Sequence, residues 1–234
     1  MSADLAVVGV GRMAYGPALD LQRSIAARRI TGELTRDVLL LVEHAPVVTL
    51  GRGSQPQHLP VSPEALAARG VELFEIERGG DVTFHGPGQL VGYPIIALSE
   101  HRPDLHWFLR ALEATLITTL DHLHVPAERR TGYTGVWTAG GARKIASIGI
   151  HVKQWVTWHG FALNVMTDLS YFDLIVPCGI PHVIMTSVQR ELGERAPRDL
   201  WGRALDAVIL GFAETFGQRP QAVELEELAV SREP

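Results

Sequence analysis

Apolar residues recur along this chain with two distinct periods, which divide it into helical and extended segments. Over 17–30, Leu19, Ile25, Ala26 and Ile30 fall near helical spacing and Gly32 follows as a stop, which predicts a helix. The runs VLLLVE at 38–43 and VVTL at 47–50 are β-branched and apolar and flank Pro46, so they predict two strands of a buried sheet with a connection between them. Ser62 before Pro63 predicts a short helix that stops at Gly70, because a serine oxygen accepts a free N–H and proline fits a first turn. Residues 71–76 resume an extended pattern. Asp104 can cap the clearest helix, to about 124, with a stripe of Trp107, Leu109, Leu112, Leu116, Leu120 and Leu123. Strands are predicted at 136–137, 144–153 and 157–164. Within the second, KIASIGIHVK alternates in period two, which places Lys144 on the face of Ala146, Ile148 and Ile150, opposite Ser147 and Gly149. Helical spacing returns at 187–192 and 200–216, with Gly217 as a stop, and the acidic stretch 222–227 is expected to be solvated.

Strands grouped in succession with helices between the groups predict an α+β, or mixed α/β, fold with a mixed β-sheet, rather than a strict βαβ array. No repeat, low-complexity block or linker divides the chain, so one domain over 1–234 is expected. With 46% hydrophobic and 20% charged residues, its 234 residues can bury a sizeable core, which excludes whole-chain disorder. The net charge of −5 offers no broad basic footprint, and no apolar run approaches the ~20 residues of a spanning helix, so neither nucleic acid nor membrane is an expected partner. One cysteine cannot form an intrachain disulfide, and residues 1–11 lack the pattern of a secretory signal; the cytosol is the expected compartment.

Cys178 sits in VPCGI, between a proline that fixes the preceding backbone and a glycine that leaves one side of the sulfur open. That suits a nucleophile served by nearby backbone N–H groups, although a lone cysteine is more often a small core residue. Lys144 enters an apolar strand after two glycines; it either snorkels outward or stands near a group that uses its charge. Small residues at 146, 147 and 149 leave room for a ligand chain along that strand. The run RGGDVTFHGPGQ at 78–89 is neither a phosphate loop nor a dinucleotide fingerprint, and its dense glycines require close backbone approach. His85 within it either orients a catalytic group or bonds within the loop. GRG at 51–53 reads as a turn. His122 and His124 point to different sides of a helix, and His101 and His106 have no metal-binding partner pattern, so no metal is expected. A serine hydrolase is excluded by the absence of GxSxG.

Taken in order, RGGDVTFHGPGQLVGYP at 78–94, GARKIASIGI at 141–150, HGFALNV at 159–165 and VPCGI at 176–180 resemble the lipoyl(octanoyl) transferases, the lipoate-protein ligase B family. LLVEHAPVVTLGR at 40–52 and MTSVQRELG at 185–193 resemble that family's flanks, and the likeness extends over about 39–193. Tyr133 and Thr134 depart from it, standing where a basic residue is expected. The resemblance implies the fold of the biotin and lipoate protein ligases, a mixed sheet packed with helices. It implies transfer of an octanoyl group from acyl carrier protein to a lysine of lipoyl domains, in 2-oxoacid dehydrogenase complexes and the glycine cleavage H protein. The family pattern places the nucleophile on Cys178 and its activating lysine on Lys144. Family substrate contacts fall on Arg78, Gly79, Gly80, Asp81, Val82, Thr83, Phe84 and His85, on Ser147, Ile148 and Gly149, and on Gly160, Phe161 and Ala162. No ATP, metal or organic cofactor is implied, because the substrate arrives activated. An ATP-dependent lipoate or biotin ligase and a non-catalytic lipoyl-domain binding module remain as alternatives.

Overall fold

The computed structural model describes residues 4–229. In chain order the elements are β1 (Asp4–Met13), α1 (Tyr15–Thr31), β2 (Asp37–His44), β3 (Val47–Leu50), α2 (Pro63–Ala67), β4 (Glu72–Glu75), β5 (Thr83–His85) and β6 (Gln89–Ile95). There follow α3 (Leu105–His122), β7 (Val136–Thr138), β8 (Arg143–Lys153), β9 (Val156–Asn164), β10 (Ile184–Met185), α4 (Val188–Leu192), α5 (Leu200–Phe216), β11 (Arg219–Ala222) and α6 (Leu225–Ala229). Short 3₁₀ segments, the longest being Leu169–Leu174, interrupt the longer connections. Among the described residues no helix is long and apolar enough to cross a membrane.

The main sheet runs β10-β8-β9-β6-β2-β1-β11, with β7 also paired to β8. It is mixed: β1 pairs in parallel with β2 and β11, and the β2–β6–β9–β8 steps are antiparallel. Its interior strand β2 carries a continuous apolar run over 38–42, because both faces are covered there. Leu39 and Leu41 join Leu5, Val7 and the buried stripe of α3 and α5, whereas Val38, Leu40 and Val42 join Ala6, Val8 and Ala18, Ile25 and Ala26 of α1. The two strands flanking Pro46 part company, since β3 leaves for a second sheet of order β4-β3-β5.

Local chemistry sets the helix ends. Asp104 accepts the Trp107 N–H at 3.0 Å, and Ser62 and Ser187 accept those of Ala65 and Arg190. Gly32 and Gly217 close α1 and α5 in the left-handed region. α1 begins at Tyr15, before the expected start, with Pro17 accommodated in its first turn. The stretch expected to be solvated, 222–227, is mostly exposed, with Val223 buried, but it follows an unexpected strand: β11 pairs with the outer edge of β1, and Leu228 beyond the stretch is also buried. An unpaired β1 edge offers backbone partners that no side-chain pattern in the tail announces.

The decisive local feature lies in β8. Val136 and Trp137 of β7 pair with Ala146 and Lys144, so Ile145 has no partner on that side and forms a bulge. Ile145 and Ala146 both turn into the α3–α5 core. Lys144 is thereby carried to the face of Ser147, opposite to the one that strict alternation assigns it.

Candidate active site

Cys178 occupies the middle of a 3₁₀ turn, Pro177–Gly179, with φ 56° and ψ 21°. This left-handed geometry is unusual for a residue with a side chain and persists only where its surroundings hold it. The Cys178 N–H donates to the Val82 carbonyl at 2.9 Å, the Gly179 N–H to Val176 at 2.9 Å and the Ile180 N–H to Pro177 at 3.1 Å. All three amide hydrogens are therefore spent, and the N–H groups expected to serve a developing oxyanion are not free in this turn.

Lys144 does not snorkel. It is 1% exposed, and its Nζ donates to Cys178 Sγ at 3.1 Å and to the Thr134 carbonyl at 3.4 Å, 4.9 Å from the centre of the Trp137 ring. Ser147 Oγ lies 3.8 Å from the same sulfur. Burial pushes the Cys178 thiol up, but the Lys144 charge and hydrogen bond, the Ser147 contact and the Arg78 charge bring it below its ordinary value. The loop before β7 hugs the lysine: Gly135 has φ 126°, and a Cβ there would lie 2.6 Å from the Ala146 carbonyl and 3.0 Å from Lys144 Cε. Buried Glu113 of α3 holds this loop, accepting the Gly135 N–H at 3.2 Å and bonding Arg110 and Arg129.

The pair opens on a cavity of about 280 Å³ between the glycine-rich run and the β8–β9 face. Arg78, Gly80, Asp81, Thr83 and His85 line it, with Ser147, Ile148 and Gly149 of β8 and Gly160, Phe161 and Ala162 of β9. Gly79, Val82 and Phe84 do not. The Gly79 N–H is tied to the Ile150 carbonyl at 2.8 Å, and Val82 and Phe84 belong to the core under the small sheet. Gly149 leaves less room than its lack of a side chain implies, because a Cβ there would stand 2.8 Å from the Gly79 carbonyl. Arg78 is buried, donating through Nη2 to the Thr49 carbonyl at 2.8 Å and hydroxyl at 2.9 Å. His85 bonds within its own loop, its Nδ1–H donating to Gln89 Oε1 at 2.8 Å, and burial pushes its imidazolium down to about 3. His44 is likewise held neutral by burial, down to about 4, although its bond to the Met13 carbonyl opposes this.

Sequence reasoning missed several walls of the cavity. Tyr15, Val91, Tyr93 and His159 line it, as do Tyr133 and Thr134, which the sequence marks only as a departure from pattern. Tyr15 gives no local signal, since it precedes the recognisable apolar stripe of α1. The histidines set aside as metal ligands serve elsewhere: His101 bonds Asp37 at 2.6 Å and His122 bonds Glu214 at 3.2 Å. GRG at 51–53 is a turn docked on the glycine-rich run, Arg52 and Gly53 donating to the Arg78 and Gly80 carbonyls.

Comparison with known proteins decides what this arrangement is related to. Residues 14–208 match the family model of the lipoyl protein ligase A/B catalytic domain. Curated octanoyltransferases resemble the chain closely: one from Gloeobacter violaceus is 46% identical over 216 residues, covering 92% of each chain. One from Chloroflexus aurantiacus is 46% identical over 222 residues, covering 94% of this chain and 98% of its own. The chain belongs to the octanoyltransferase family. As a member of that family it is a transferase with the mixed-sheet fold of the lipoate protein ligases. A solved bi-partite lipoate protein ligase from Thermoplasma acidophilum shares that fold, with a TM-score of 0.71 at 18% identity, over 98% of this chain and 91% of that one.

Proposed function

We propose that this octanoyltransferase moves an octanoyl group from the phosphopantetheine thioester of acyl carrier protein, through a thioester on Cys178, to the acceptor lysine of lipoyl domains. The observation that carries this reading is the 3.1 Å contact between Lys144 Nζ and Cys178 Sγ, which favours thiolate beside an acyl-sized cavity. In the loading step Sγ attacks the donor carbonyl, the bond to the pantetheine sulfur breaks, and the departing thiolate takes a proton from Lys144. In the transfer step the acceptor ammonium returns a proton to Lys144 and its amine attacks. The bond between Cys178 Sγ and the acyl carbon breaks to release thiolate, and the second amine proton passes to water. Exchange of thiol for thiol is close to neutral, whereas amide formation is downhill, so the sequence has a direction without ATP.

At about 280 Å³ the cavity is small for a ligand pocket, in keeping with one medium-length acyl chain. We assign its walls from the glycine-rich run, β8 and β9 to substrate contact. Candidate acceptors are the lipoyl domains of 2-oxoacid dehydrogenase complexes and the glycine cleavage H protein. Intact mass spectrometry after exposure to octanoyl carrier protein tests the reading: an octanoyl adduct on Cys178, discharged by a lipoyl domain, is expected. Cys178→Ser should abolish loading with the fold intact, because a serine hydroxyl is scarcely ionised near neutral pH. Turnover by that variant, or acylation that needs free octanoate and ATP, would instead favour a ligase.

A further inference from the structure

The turn that carries the nucleophile is gripped by a residue with no part in the chemistry above. The His58 carbonyl accepts the Val176 N–H at 2.8 Å, just before the turn. Its ring Nδ1–H donates to Asp81 Oδ2 at 2.5 Å, and Asp81 Oδ1 accepts the Val82 N–H at 2.7 Å. Val82 in turn accepts the Cys178 N–H at 2.9 Å. These bonds close a ring, His58–Asp81–Val82–Cys178–Val176, so that one residue holds the turn at its entry and at its centre. Both Asp81 oxygens are engaged in it. The His58 and Asp81 side chains are 20% and 11% exposed, which keeps water from competing freely for their bond.

The pair presses directly on the turn. Cys178 and Gly179 are consecutive left-handed residues, at φ 56° and 65°, and a Cβ at Gly179 would collide with Asp81 Oδ2 and stand 2.9 Å from His58 Cε1. Such geometry relaxes when its supports are removed. We propose that His58 is a positioning residue for the nucleophile, holding through Asp81 the left-handed turn that aims Cys178 Sγ at Lys144. The proposal rests on Cys178 as the reactive group and adds a determinant of its reactivity on a different loop, outside the family-like blocks.

Alkylation of Cys178 by iodoacetamide, followed against pH, tests this in the full-length protein, alongside single-turnover loading from octanoyl carrier protein. His58→Leu removes the donor; His58→Asn restores a donor near the Nδ1 position; His58→Gln carries the same amide one methylene too far. In His58→Leu the alkylation midpoint is expected to rise, as Sγ drifts from Lys144, and loading to fall on the order of a hundredfold, the cost of a roughly 1 Å misplacement. His58→Asn is expected to recover both readouts. If His58→Leu does not fold, His58→Asn against His58→Gln reads the same point, with only asparagine near the parent. An unshifted alkylation profile in folded His58→Leu, or equal behaviour of the two amides, would overturn the proposal. Alkylation requires only the thiol, so this outcome is separable from failure of the octanoyl-transfer reading, in which loading alone would be absent from the parent.

Discussion

Replacing Lys144 by methionine removes a buried charge at nearly constant length. At 3.1 Å, with an effective dielectric near 20, the ammonium–thiolate attraction is about 5 kcal/mol before any opposing desolvation. Burial opposes part of that attraction, and the remainder favours the thiolate. The sign follows from the causes. In the parent, burial pushes the thiol up but the charge and hydrogen bond of Lys144 bring it below its ordinary value; in Lys144→Met burial is left without its main opponent. The thiolate fraction near neutral pH should fall, and loading, which also loses the group proposed to protonate the leaving thiolate, should slow on the order of a hundredfold. Loading should rise with pH through a depressed value in the parent and through an elevated one in the variant, so that high pH restores it. Transfer to the acceptor lysine should lag even then, because the group proposed to take the ammonium proton is gone. Lys144→Arg keeps the charge without a usable base and should load better than it transfers. Single-turnover acylation of Cys178 and its discharge to a lipoyl domain, followed separately across pH, give the answer. If alkylation of Cys178 and both rates are the same in Lys144→Met as in the parent, the pair has no chemical role.

Gly149→Ala should cost about 1–3 kcal/mol by overpacking and slow loading, because its Cβ would press on the Gly79 carbonyl; an unchanged urea midpoint would show that the 78–79 backbone yields freely. Glu113→Gln leaves two arginines and the Gly135 N–H without their carboxylate. It should slow transfer by loosening the loop whose Thr134 carbonyl accepts from Lys144, and parent-like single-turnover rates would refute that route. Buried His44 titrates at about 4 in the folded protein against 6.5 for a solvated imidazole, so its contribution is present above about 6.5 and is lost as pH falls through 4. That amounts to about 3 kcal/mol. The thermal midpoint of His44→Gln should depend less on pH between 7 and 4 than the parent's, and equal slopes would count against it.

Much of the fold is legible because its signals are local. A strand covered on both faces, such as β2, must be apolar through its covered centre, 38–42, and a helix packed on one side, such as α5, must repeat at helical spacing. What escapes is set by partners distant in sequence. The bulge at Ile145 is one unpaired residue against β7, invisible to periodicity, yet it decides which face Lys144 occupies. β11 reads RPQA and has no strand-like side chains, because it is held by backbone pairing to β1. The meeting of Lys144 with Cys178 is implied only by family resemblance, and nothing local announces that the amides beside the cysteine are consumed by its own turn. His58 escapes altogether, its meaning residing in a contact with Asp81 across 23 positions.

The short β11 also governs how the molecule behaves toward its own copies. Leu5 of β1 lies opposite Pro220, which has no N–H to offer a further strand, and all four residues of β11 are exposed. The sheet thus terminates on a poor template for pairing, while the apolar LAVV stretch of β1 stays covered. A chain clipped at Gly217 would bare that stretch as an adhesive edge. It should then lose colloidal stability, visible as concentration-dependent light scattering, with the nucleophile and its cavity on the far side of the sheet order still in place.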